Sequence, residues 1–127
     1  PIGPEEGVPV VTSMGYEYWP DALEVSIRHA AAVSGAPIHV TENGIGTDHD
    51  DERIAYTRHA LEGVLRCLRD GIDVRSYFHW SLLDNFEWAH GYAPRFGLVS
   101  VDRTTQVRTP KPSARWLGEI ARANRLA

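Results

Sequence analysis

Two short β-rich runs, Pro37-Ile38-His39-Val40-Thr41 and Asp73-Val74-Arg75-Ser76-Tyr77-Phe78-His79-Trp80-Ser81, flank one long amphipathic stretch, and this order leaves few choices of fold. Both runs carry the β-branched and aromatic residues that suit strands. Between them Ile54, Thr57, Leu61, Val64, Leu65 and Leu68 recur at three- and four-residue spacing, which predicts a helix with one apolar face. Strand, crossover helix and second strand make a parallel βαβ unit. Parallel sheets are covered on both faces and rarely stop at two strands. A two-stranded one leaves both outer edges unpaired. The unit is therefore expected to belong to a larger sheet.

The remaining elements follow from local chemistry. Pro1 to Ser13 is rich in Pro and Gly and reads as a loop. Pro20 opens a helix, Asp21 and Glu24 complement its N-terminus, and Leu23, Ile27, Ala30, Ala31 and Val33 carry it to Gly35. Glu42-Asn43-Gly44 is turn chemistry. Asp50, Asp51 and Glu52 form an acidic helix start, Arg66 and Arg69 read as a solvated last turn, and Gly71 fits the position after the helix. Leu82 to Pro94 is a long aromatic loop. Phe96 to Val101 and Gln106 to Arg108 are expected to pair across Asp102 to Thr105. Ser113 caps a last helix carrying Trp116, Leu117 and Ile120 and ending in Ala121 to Ala127.

Composition narrows the function. A net charge of −4 with no clustered basic face argues against nucleic acid. No apolar run approaches the roughly 20 residues that span a bilayer. The single cysteine, Cys67, sits among Val64, Leu65 and Leu68 and reads as a small buried apolar residue, unable to form an internal disulfide. His29, His39, His49, His59 and His90 lack the close paired spacing of metal ligands, so no metal is expected. The chain begins without an initiator Met or signal peptide, as if in the middle of something longer. Localisation is not readable from this end, and the cytoplasm is the working expectation.

The chemistry-bearing residues cluster where the two strands end. Glu42 follows the first strand; Trp80, Glu87 and Trp88 follow the second. In parallel α/β sheets ligands bind outside the carboxyl ends of the strands, and a closed barrel obeys the same rule. Carboxylates beside indoles suit a neutral sugar: acids engage hydroxyls and the anomeric centre, while an indole stacks on the pyranose and keeps one N–H donor. The bland alternatives are a solvated turn carboxylate for Glu42 and core packing for the indoles. Phe78 and Phe86 are the better candidates for the core. His79 reads as a satisfied core histidine or a pocket wall, the former preferred.

Thr41-Glu42-Asn43-Gly44 after a short strand resembles the nucleophile motif of family 1 glycoside hydrolases, the β-glucosidase and β-galactosidase group. Trp80-Ser81-Leu82-Leu83-Asp84-Asn85-Phe86-Glu87-Trp88, about forty residues downstream, resembles that family's sugar-binding stretch. Gly15-Tyr16-Glu17-Tyr18-Trp19-Pro20, Arg95-Phe96-Gly97-Leu98-Val99 and Arg108-Thr109-Pro110-Lys111 also look like the family, so the resemblance covers nearly the whole chain. It implies an α/β fold, part of a (β/α)8 TIM barrel, with residues 1–127 as the C-terminal segment supplying about strands seven and eight. It implies Glu42 as the nucleophile that forms a glycosyl-enzyme. It implies Glu87 as acceptor for glycone hydroxyls, Trp80 as the platform beneath the sugar, Trp88 as a donor to a ring hydroxyl and Phe96 as the far wall. No cofactor is implied.

The family's acid/base Glu belongs to an Asn-Glu-Pro motif that this sequence lacks. Composition leaves Glu87 open as an acid; the resemblance assigns it to glycone binding. The expected activity is hydrolysis of β-linked glucosides or related sugars in a full barrel, with this chain alone inactive and completed by the missing N-terminal part. Two alternatives are a non-catalytic module that binds carbohydrate weakly through half a pocket and a barrel piece that assembles with other copies of itself.

Overall fold

The computed structural model describes residues 11–126. The order of elements is α1 (Ala22–Ser34), β1 (Ile38–Asn43), α2 (Asp50–Arg69), β2 (Val74–His79), a 3₁₀ turn (Trp88–His90), β3 (Val99–Val101), β4 (Arg108–Pro110) and α3 (Pro112–Ala123). As expected, β1 and β2 pair in parallel, with Ile38 opposite Val74, Val40 opposite Tyr77 and Asn43 opposite His79. Among the described residues this sheet has two strands only. The hairpin also forms, but its register differs from the expectation. Val99 lies opposite Pro110 and Val101 opposite Arg108, so the second strand starts at Arg108 and Gln106 is in the turn, with φ of 62°.

The core lies where α1 and α2 cover one face of the β1–β2 sheet. Ile27, Val40, Val64 and Cys67 are its buried members, with Leu23, Ile38, Ile72, Val74 and Tyr77 packed around them. The reading of Cys67 as a small buried residue holds. The apolar stripe of α2 is rotated from the expected one. Arg53, Thr57, Ala60, Gly63, Val64 and Cys67 are buried, whereas Leu65 and Leu68 are 41% and 43% exposed. Small residues let the helix sit close: a Cβ on Gly63 would lie 3.0 Å from Glu24 Cβ of α1.

Period-two alternation decides the two faces of β2. Tyr77 turns toward α2, so Phe78 points away and is 60% exposed; Phe86, in the loop, is 56% exposed and meets Tyr92 edge-to-face. Neither fills the core as expected, because the helices cover only one side of the strands.

Helix ends account for the other shifts. The first helix begins at Ala22 rather than Pro20, with Asp21 at the N-cap position but without a side-chain cap bond. The Asp21 carboxylate instead meets His59 at 2.7 Å and Arg66 at 3.4 Å. Arg66 also pairs with Glu24 at 2.6 Å, so it joins α2 to α1 rather than lying free in solvent. Hydrogen bonds from Arg28 and then Arg66 hold the Glu24 carboxyl below its ordinary pKa. Gly35 closes α1 in the left-handed conformation, φ 61°, and Gly71 does the same after α2, φ 84°.

The third helix caps itself differently from the sequence reading. Lys111 occupies the N-cap position, Pro112 follows in the first turn, and Ser113 is buried one residue further in. Its N–H and hydroxyl donate to Asp50 at 2.7 and 2.8 Å, so the acidic start of α2 caps α3 across the fold. Asn124, left-handed at φ 48°, ends α3 within the expected 121–127 stretch. The expected loop at residues 1–10 lies outside the described residues; from Val11 the chain makes a turn in which Thr12 N–H donates to the Tyr16 carbonyl.

Ile27 is 2% exposed at the centre of the core. Ile27→Ala is expected to lower unfolding free energy by about 2–5 kcal/mol, measured as a shift of the urea midpoint at constant slope. A loss under about 0.5 kcal/mol, the scale of an ordinary surface change, would place the core elsewhere.

Candidate active site

β1 does not stop before Glu42 and Asn43 as the turn chemistry suggested; it carries both to its end. Between Val40 and Asn43, β1 advances three residues while β2 advances two, from Tyr77 to His79. Such a bulge re-aims the side chains on it. Thr41 and Glu42 are consequently exposed in succession, breaking the alternation that buries Val40. Among the described residues no hydrogen bond reaches the Glu42 carboxylate.

Asn43 anchors the bulge. Its side-chain carbonyl accepts the Tyr77 hydroxyl at 2.9 Å. Burial pushes the Tyr77 phenol well above its ordinary pKa, which keeps the hydroxyl protonated as a donor. The Asn43 carbonyl accepts the Trp80 N–H at 2.9 Å, so the two strand ends share one rim. Gly44 then passes against the Trp80 carbonyl: a Cβ there would sit 1.8 Å from that oxygen. Backbone approach this close admits only glycine.

At the end of β2 the Trp80 indole N–H donates to Glu87 at 3.3 Å, and Glu87 is 6% exposed. The Trp80–Ser81 peptide bond is cis. Gly91 accepts the Glu87 N–H at 2.7 Å, closing the loop under this carboxylate. Trp88 stands in the 3₁₀ turn with φ of 49° and is 83% exposed. Phe96 is buried, its ring against Gly46, where a Cβ would meet ring carbon Cε2 at 2.9 Å. The structure thus brings Trp80 and Glu87 into direct contact, sets Phe96 against the loop after Glu42, and leaves Glu42 and Trp88 open to solvent.

Beneath these residues lies a polar layer that sequence reasoning missed. The Asp84 carboxylate accepts the Gly97 N–H at 2.8 Å and pairs with Lys111 at 2.9 Å, and Lys111 also donates to the Gly97 carbonyl at 2.7 Å. Burial lowers the Lys111 pKa, with Asp84 acting against it. Arg53 pairs with Asp50 and is 1% exposed. Asp84 and Lys111 stood inside the motif stretches without a role; Arg53 was visible only as a charge in register with Thr57, Ala60 and Val64 on a helical stripe.

His79 belongs to this layer. Its Nε2 lies 3.3 Å from the Phe96 carbonyl, which can only accept, so Nε2 carries the hydrogen and Nδ1 is bare and without a partner among the described residues. It is a wall of the layer rather than the fully satisfied core histidine expected. Desolvation pulls its pKa from 6.5 to about 4; the Phe96 carbonyl and Asp50 oppose the shift, while Arg53 and Lys111 add to it. With so depressed a pKa, the contribution of neutral His79 to folding stability is fully present above about pH 6.5 and is lost as pH falls toward 4. His79→Gln is expected to flatten the decline of stability between these pH values, read from urea unfolding at several pH values. An unchanged slope would exclude a neutral buried His79.

The family profile described as Glycosyl hydrolase family 1 matches residues 5–126. A bifunctional β-D-glucosidase/β-D-fucosidase from Bifidobacterium breve is 48% identical over 119 residues, 83% of this chain and 26% of that protein. A 1,4-β-D-glucan glucohydrolase from Thermotoga neapolitana is 39% identical over 125 residues, 91% of this chain and 28% of that protein. Among solved structures, the family 1 β-glucosidase from Thermotoga maritima in complex with glucoimidazole superposes with a TM-score of 0.88 at 35% identity, covering 94% of this chain and 30% of that one. The chain thus spans between a quarter and a third of these three proteins. The parallel βαβ unit with its carboxylate- and indole-bearing rim is part of a TIM-barrel glycosidase fold. The chain belongs to glycosyl hydrolase family 1.

Proposed function

We propose that this chain supplies about strands seven and eight of a retaining β-glycosidase barrel, and with them the nucleophile and much of the glycone pocket. The observation that carries the reading is the shared rim. Glu42 lies on the bulged end of β1, and the Trp80–Glu87 pair lies at the end of the adjacent strand, joined through the Asn43 carbonyl and the Trp80 N–H. Kinship with β-glucosidases supports it, as does the binding of glucoimidazole by the Thermotoga maritima enzyme.

In this reading Glu42 attacks the anomeric carbon of a β-linked glucoside or related sugar. The bond to the leaving oxygen breaks as a second carboxyl protonates it, and a glycosyl-enzyme forms. Water, deprotonated by that second carboxyl, then releases the sugar with retained configuration. The two carboxyl groups must stand about 5–5.5 Å apart. Trp80 provides the apolar face for the ring, and Glu87, oriented by the Trp80 N–H, accepts hydrogen bonds from sugar hydroxyls. Trp88 contributes a donor from the open side, and Phe96 forms the far wall. The acid/base carboxyl comes from an Asn-Glu-Pro segment outside this sequence, completing the site only in the full barrel.

The test compares three proteins on an aryl β-glucoside: the barrel-length protein carrying this segment, its Glu42→Gln variant and the 127-residue chain. Glu42→Gln is expected to lower kcat by about 10⁴-fold or more, and the short chain to show no turnover. Enzyme-like hydrolysis by Glu42→Gln would remove Glu42 as nucleophile. Hydrolysis by the short chain, lost on Glu42→Gln, would show that the second carboxyl lies within it.

A further inference from the structure

We propose that Arg53, buried under α2's first turns, is a positioning residue for the glycone pocket: it fixes the Phe96 wall to the loop that follows Glu42. The inference rests on the glycosidase reading above. The side chain is 1% exposed, and arginine is almost never buried so completely unless its guanidinium is paired. Nη1 donates to Asp50. Nη2 donates to two backbone carbonyls, Thr47 at 2.7 Å and Arg95 at 2.6 Å. The Arg95 carbonyl also takes the Thr47 N–H at 3.1 Å. Two loops that are 48 residues apart in sequence therefore meet on one guanidinium.

The segment around Phe96 is held by its carbonyls. Arg95 is bonded to Arg53, Phe96 to the Ser81 N–H and the His79 ring, and Gly97 to Lys111. Among the described residues two donors tie this segment to the loop after β1: the Thr47 N–H, on the Arg95 carbonyl, and Arg53, which takes the Arg95 and Thr47 carbonyls together. The Phe96 ring rests on Gly46 of that same loop. Arg53 thus reinforces the Thr47–Arg95 bond, and together they make the pocket wall and the loop after Glu42 one rigid piece. Lysine cannot substitute, because its donors radiate from a single nitrogen and lack the planar fork that serves a carboxylate and two carbonyls together.

Glu42 itself is set by other bonds, the Trp80 N–H to the Asn43 carbonyl and the Tyr77 hydroxyl to the Asn43 amide oxygen. Loosening Arg53 should therefore move the wall and leave the nucleophile. A wall contacts the sugar equally in ground and transition states, so its loss raises KM and spares kcat.

The experiment uses the barrel-length protein with an aryl β-glucoside. Arg53→Lys is expected to raise KM about tenfold with kcat within about threefold. Phe96→Leu should raise KM similarly, and the double variant should go no higher than the larger single effect, since both act through one wall. Additive KM effects, a fall in kcat at constant KM, or a lowered Tm with unchanged kinetics would overturn the proposal. An unmodified protein without Glu42-dependent hydrolysis would instead sink the glycosidase reading. If Arg53→Lys does not fold, hydrogen exchange in the unmodified protein decides. The Thr47 and Ser81 amides, bonded to the Arg95 and Phe96 carbonyls, should exchange at rates within about threefold of each other, as one opening unit; exchange of Thr47 orders of magnitude faster would separate the wall from the loop and refute the role.

Discussion

The parallel pairing of β1 with β2 is the constraint on which the rest of this molecule depends. It brings the carboxyl ends of two strands, distant in sequence, to one edge, and it does so with backbone groups that any side chain could accompany. The specificity enters at the last rung. The bulge at Thr41 and Glu42 turns the end of the strand outward, Asn43 is pinned by the Tyr77 hydroxyl that β2 supplies, and Gly44 lets the Trp80 carbonyl come closer than a methyl group would allow. Position along the strand, rather than any long-range charge, determines where Glu42 stands.

Charge acts one layer below. Asp84 with Lys111, and Asp50 with Arg53, are two ion pairs set beneath the Phe96 segment. A buried charge is tolerated when paired and fully hydrogen-bonded, and is costly when either partner is removed. Here the remaining bonds of each pair go largely to backbone, Gly97, Thr47, Arg95 and the first turn of α3, while Arg53 Nε is buried without a partner among the described residues. The pairs therefore act less as attractions between elements than as fixed donors and acceptors for loops that have no ladder of their own. His79, kept neutral among these charges, adds a donor without adding another cation.

Much of the fold was readable because it rests on periodicity. The βαβ order, the hairpin and three helices follow from spacing and from glycine and proline at their ends, and the structure shows them. What the sequence read poorly were features decided by distant partners. Ser113 looked like a helix cap, yet its cap is Asp50, sixty-three residues away. Arg66 looked solvated, yet it bridges α2 to α1. Phe78 and Phe86 looked like core because their composition says so, but composition cannot say which face a helix will cover. For the site, Glu42, Trp80 and Glu87 stood out because such residues have uncommon reasons to follow strands. Arg53 did not, since an arginine on a long helix is ordinarily a surface residue.

The uncovered side of the sheet has a consequence of its own. His39, Thr41 and Phe78 point away from the helices and are exposed among the described residues. In a closed barrel the inward side chains of alternate strands stack into shared layers. The identities at these positions are then set by volume contributed from other strands rather than by anything in the βαβ unit itself. A bulky ring and a smaller imidazole on neighbouring strands make an uneven surface, and such a surface selects complementary shapes across the lumen. Mutational tolerance here should be governed by steric fit with the opposite wall, not by this segment's own stability.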